Sequence, residues 1–181
     1  MKKVKKSSLI VLVLCLFLLV GCKKNIEVVN TSNKKGDYAE QGNQNINVKG
    51  SGELKCSRSG NAINGLEAEF HYYLVYENGI LKSLHSVEKV SGDDQDALDQ
   101  YEEAYKKIKE NYKDIKYYDT NVSRDKKSVT NDININYDKV DTTKIMAIEG
   151  NNIYNDKNKP TLKKWLKLAK KAGVTCEGVI E

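Results

Sequence analysis

The sequence predicts an α+β domain: an antiparallel sheet of about five to six strands, with two main helices packed on one face. Three observations predict it. Runs with alternating apolar residues flank an Asn78-Gly79 pair, the strongest short signal for a hairpin. Two other stretches repeat apolar residues at spacings of three and four, the period of a helix with one buried side. Strands stand before and after the helices with tight turns between them, rather than in βαβ alternation.

The domain is expected to span residues 52–181. Glu53–Ser59 reads as a strand, closed by Ser59-Gly60-Asn61. Leu66–Glu77 and Ile80–Val90 read as the two arms of the hairpin. A two-residue turn at Asn78-Gly79 pairs Tyr72 with His85 and His71 with Ser86, which sets the two histidines on opposite sheet faces, unable to share a metal. The face with Leu66, Ala68, Phe70, Tyr72, Leu74, Tyr76, Leu81 and Val87 is the more apolar and is the expected core. His85 is then a packed, hydrogen-bonded histidine. His71 and Tyr73 fall on the wetter face with Glu69 and Glu88, as candidates for a surface contact.

Asp94–Asp114 predicts the longest helix. Leu98, Tyr101, Tyr105, Ile108, Tyr112 and Ile115 form its stripe, with acids early and lysines late, in the order that suits the helix dipole. Tyr117–Ser123 and Ser128–Tyr137 read as strands around an Arg124–Lys127 turn, with Val129, Ile133, Ile135 and Tyr137 on one face. Asp141–Glu149 reads as a short helix broken by Gly150. Thr161 is the expected cap of a helix over Leu162–Ala172, whose stripe is Leu162, Trp165, Leu166, Ala169 and Ala172, with Gly173 as its stop. Val174–Val179 reads as a last strand.

The first 22 residues differ from the rest. Lys2, Lys3, Lys5 and Lys6 precede an unbroken apolar run, Leu9–Val20, which fits a signal-peptide core and falls short of the ~20 residues that span a bilayer. Leu19-Val20-Gly21-Cys22 resembles the lipobox of bacterial lipoproteins. That resemblance implies a diacylglycerol thioether on Cys22, cleavage between Gly21 and Cys22 by signal peptidase II, and two acyl chains that hold the mature chain at the extracytoplasmic face of a membrane. Residues 1–21 would be lost, and residues 22–51, rich in Asn, Lys, Gln and Gly, would form the lipidated Cys22 and a flexible tether. The four early lysines account for most of the net charge of +5, so the mature chain is nearly balanced and its charge gives no ground for a nucleic-acid partner.

Few residues carry chemistry. Of the four cysteines, Cys15 leaves with the signal peptide and Cys22 takes the lipid. Cys56 and Cys176 remain, and an even remainder in an exported chain favours one disulfide joining the first and last strands. The competing catalytic reading, a sortase-like cysteine, requires a downstream arginine, and only five residues follow Cys176, none of them Arg. Asp93, Asp94, Asp96 and Asp99 fail the calcium-loop pattern, which asks for Gly where Asp99 stands and Glu where Tyr105 stands; they read as caps and first-turn charges. No metal or cofactor site and no catalytic set is predicted. Of the eleven tyrosines, Tyr73, Tyr117, Tyr118 and Tyr154 are the candidates for surface contacts. Lys159, Lys163, Lys164, Lys167, Lys170 and Lys171 make the last helix basic; a solvated face is the favoured reading, and contact with anionic lipid headgroups is the other.

Taken together, the lipobox, Leu54-Lys55-Cys56, the long hairpin, the Tyr-bearing helix, Ile133-Asn134-Ile135-Asn136-Tyr137-Asp138, Thr161-Leu162-Lys163-Lys164-Trp165 and Ala172-Gly173-Val174-Thr175-Cys176 resemble the YehR-like small lipoproteins, a bacterial family of unknown function. The likeness covers residues 52–181. It implies a compact α+β domain outside a membrane and carries over no catalytic residue. The expected role is a membrane-anchored, non-enzymatic binding module of the cell envelope, with membrane lipid held through Cys22 and an envelope protein or wall polymer as partner. The alternatives are an envelope hydrolase using paired carboxylates and an adaptor of a transporter.

Overall fold

The structure, a computed structural model, describes residues 38–41 and 44–178. The signal-peptide reading, Gly21, Cys22 and residues 23–37 of the expected tether lie outside these residues. The later part of that tether is structured. Tyr38–Gln41 (β1) and Gln44–Asn47 (β2) pair antiparallel, and Ile46 and Val48 are buried in the core. Two apolar side chains in a polar stretch are a faint signal, and burial against the rest of the domain is what orders them.

Six further strands make one antiparallel sheet: Gly52–Asn61 (β3), Glu67–Glu77 (β4), Ile80–Ser91 (β5), Tyr118–Arg124 (β6), Ser128–Asn136 (β7) and Thr175–Gly178 (β8), in the order β6-β7-β5-β4-β3-β8. Three helices accompany it: Gln95–Tyr112 (α1), Thr142–Glu149 (α2) and Leu162–Lys171 (α3). The fold is α+β, as the sequence predicts. None of these helices is long and apolar enough to cross a membrane.

All six residues of the predicted stripe are buried, five of them on α1 and Ile115 just past its end. They cover β5, β6 and β7. Asp94 caps the helix by accepting from the Ala97 backbone N–H at 2.9 Å. Helix α3 reaches the same sheet face, where Trp165 meets the ring edge of Tyr72 at 5.7 Å. Thr161 does not cap α3 with its side chain. Its hydroxyl donates to the Ile153 carbonyl, while Leu162 N–H donates to the Gly79 carbonyl at 3.0 Å and Leu81 N–H to the Pro160 carbonyl at 2.9 Å. The start of α3 is thus fastened to the hairpin turn. Gly173 closes the helix with φ +76°, as predicted.

That turn has positive φ at both Asn78 (51°) and Gly79 (74°), the geometry an Asn-Gly hairpin provides. A Cβ at Gly79 would stand 2.5 Å from the Val48 carbonyl oxygen, so there is no room for one. Gly79→Ala is expected to cost at least the ~1–3 kcal/mol of a strained left-handed residue. A lowered urea midpoint with an unchanged slope is the expected readout.

Candidate functional site

With the helices on one face, the other face of the six-stranded sheet is open to solvent. Its most exposed large apolar residues are Tyr73, at 42%, and Val75, at 39%, side by side on β4. The geometry around them departs from the sequence reading at one point. Tyr76 pairs with Leu81 as the two-residue turn requires, but Val75 pairs with Ser83, so Lys82 is an extra residue in β5 and forms a bulge. Its ammonium is held by Asp138 at 3.0 Å and Glu77 at 3.2 Å, which together raise its pKa.

One extra residue turns every side chain beyond it to the opposite face. The observed partners are Tyr73 with His85 and His71 with Val87. Three expectations are thereby corrected. His71 and His85 lie on the same face, His85 stands on the open face rather than in the core, and Val87 leaves the core for the open face. In exchange Glu88, expected on the wet face, turns toward the helices.

The bulge therefore assembles a small patch that the sequence reading had divided. The His85 ring stacks on Tyr73 with centroids 5.5 Å apart and planes 24° from parallel. Its Nε2 stands 3.2 Å from Oδ1 of Asp132 on β7, an oxygen that also accepts from the Asn134 side-chain amide at 2.8 Å. His71, exposed, lies one pairing step along from Tyr73. An aromatic plane, an apolar neighbour and an imidazole with a fixed carboxylate can stack on, and hydrogen-bond to, a partner surface.

Away from this patch stand two half-buried acids in separate surroundings, Glu88 on the covered face of β5 and Glu149 at the end of α2. Desolvation pushes the Glu88 carboxyl up to about 7, opposed by the nearby Asn131 and Ser86 side chains. Neither side chain makes a hydrogen bond of good geometry, and the buried Tyr72 hydroxyl has no hydrogen-bond partner. Glu149, also raised by desolvation, accepts a 2.6 Å hydrogen bond from the Tyr112 hydroxyl. Tyr112 in turn stacks on Tyr118 at 4.1 Å. Glu88 is the titratable residue that the bulge brings to the covered face against the sequence expectation. The available signal was the Leu81–Leu84 spacing of three, which an uninterrupted strand cannot keep on one face.

The remaining candidates divide. Cys56 and Cys176 are paired in register across β3 and β8, with sulfurs 2.10 Å apart, the distance of a disulfide. Tyr117 is exposed, with the Lys139 ammonium 5.6 Å from its ring centre. Tyr118 and Tyr154 are not surface residues, since both are buried in the aromatic surroundings of Glu149. Asp94 is the α1 cap, Asp93 pairs with Lys127 at 3.0 Å, and Asp99 meets Arg124 at 3.3 Å. Among the described residues no group of three or more His, Cys, Asp or Glu is arranged to hold a metal.

No protein-family model and no curated protein matches the chain. Among solved structures, a protein from Streptococcus pneumoniae TIGR4 aligns over 87% of this chain and 99% of its own, at 13% identity and a TM-score of 0.43. The Escherichia coli YehR protein aligns over 74% of this chain and 95% of its own, at 19% identity and a TM-score of 0.51, so the chain has a YehR-like fold.

Proposed function

We propose that this protein is an extracytoplasmic lipoprotein, anchored through diacylglyceryl Cys22, whose domain is a non-enzymatic binding module presenting its open sheet face to an envelope protein. The observation that carries the binding role is the Tyr73–His85–Asp132 arrangement on an uncovered sheet. Apolar and aromatic side chains stand exposed there beside polar groups, as at recognition surfaces. The lipobox supports the location, and a cysteine pair at disulfide distance suits an oxidising compartment.

Photo-crosslinking in living cells tests the role. A photoreactive residue at position 73 is expected to capture one envelope protein reproducibly, and the same residue at position 107, on the exposed side of α1, is not. Equal capture from both positions would overturn the reading, as would wall polymer captured at position 73 in place of protein. The anchor has its own readout: in molar salt, a Cys22→Ser chain beginning at residue 22 is expected to leave the membrane fraction and the lipidated chain to stay in it.

A further inference from the structure

We propose that α3 lies against the anionic headgroups of the membrane, so that the domain stands with its open sheet face turned away from the bilayer. The inference rests on the lipid-anchor reading above and goes beyond it by assigning a second, electrostatic contact. Two observations carry it.

The first is the distribution of charge. Lys163, Lys164, Lys167, Lys170 and Lys171 are all exposed, and the helix contains no acid. Leu162, Leu166 and Ala169 occupy its inner side, which leaves the lysines on the outer one. The open sheet face has the reverse character: Glu53, Glu69, Asp119 and Asp132 stand there against Lys55 and Lys89. An anionic surface attracts the helix and repels the sheet, and the two lie on opposite sides of the domain.

The second is the path of the chain. Strand β1, the first described element, packs against α3. The polypeptide coming from Cys22 therefore joins the fold beside the basic helix. Sixteen residue steps separate Cys22 from Tyr38. They reach at most about 55 Å even fully extended. An anchor on that tether makes contact between α3 and lipid an intramolecular event, so a weak attraction suffices to orient the domain.

Trp165, on α3, is the chain's single tryptophan and serves as an energy-transfer donor. The lipidated chain is reconstituted into vesicles carrying a dansyl-labelled lipid, either phosphatidylcholine alone or phosphatidylcholine mixed with phosphatidylglycerol. Transfer is expected to be greater in the anionic vesicles. It should fall to the neutral-vesicle level in molar salt, where the screening length is about 3 Å. It should fall likewise when Lys163, Lys167, Lys170 and Lys171 are all changed to Gln. Equal transfer in the two compositions, or transfer indifferent to the four substitutions, would overturn the proposal.

A second measurement separates this contact from the anchor. A Cys22→Ser chain beginning at residue 22 is expected to bind anionic vesicles on its own, about fivefold more weakly for each lysine replaced. A lipidated chain that does not stay with neutral vesicles refutes the anchor. Even then, lysine-dependent binding of the Cys22→Ser chain supports the α3 contact, and absence of that binding overturns it.

Discussion

Glu88→Gln is expected to stabilise the domain above pH 7 by on the order of 3 kcal/mol and to leave it nearly unchanged at pH 4. The reason is the bulge at Lys82, which turns this half-buried carboxyl to the helix-covered face, where it loses part of its hydration. Its pKa rises there from 4.5 to about 7. A carboxyl whose pKa is higher folded than unfolded binds its proton more tightly in the folded state. Its contribution is complete below pH 4.5, declines as pH rises toward 7, and is gone above that. Gln keeps the shape and the neutral state, so the variant should lack this slope. Glu149, raised for the same reason, pushes the pH dependence in the same direction in both proteins, so the difference between them isolates Glu88. Urea unfolding at pH 4, 6 and 8 checks the prediction. Parallel stability profiles for the two proteins would show that Glu88 titrates as an ordinary exposed acid.

The largest expected effect belongs to the cysteine pair. Cys56 and Cys176 are 120 residues apart in sequence and adjacent in the sheet. A bridge closing a loop of that length stabilises by about 4–5 kcal/mol in the chain-entropy model. β8 is only four residues long and lies at the sheet edge, so the covalent link also holds a short strand whose own pairing is small. Changing both cysteines to Ala is expected to lower the urea midpoint strongly. Because both residues are buried, reductant should act on the folded protein slowly and on the unfolded protein quickly. Identical unfolding curves with and without reductant, together with two free thiols in non-reducing peptide mapping, would remove the bridge from the account.

Much of this protein is legible without its tertiary structure, because its elements are local. The α1 stripe declares itself by spacing, Asp94 and Gly173 by the chemistry of helix ends, and Asn78-Gly79 by the positive φ that its turn demands. The same locality explains where sequence reasoning stops. Whether β5 keeps one register depends on which of its side chains are buried between β4, β7 and the helices, and the Leu81–Leu84 spacing marks a break without saying which residue is the extra one. Side chains alternate with period two, so this one displaced residue moved His85 to the open face, Glu88 to the covered one, and brought Tyr73, His85 and Asp132 together. The β1–β2 hairpin is a similar case: Ile46 and Val48 have too few apolar neighbours in sequence to predict burial, and they gain them only when the domain closes. Local propensity alone specifies most of the elements that form, from β3 to β8. Which side chains share a face is settled by register, and register depends on contacts between residues far apart in the chain.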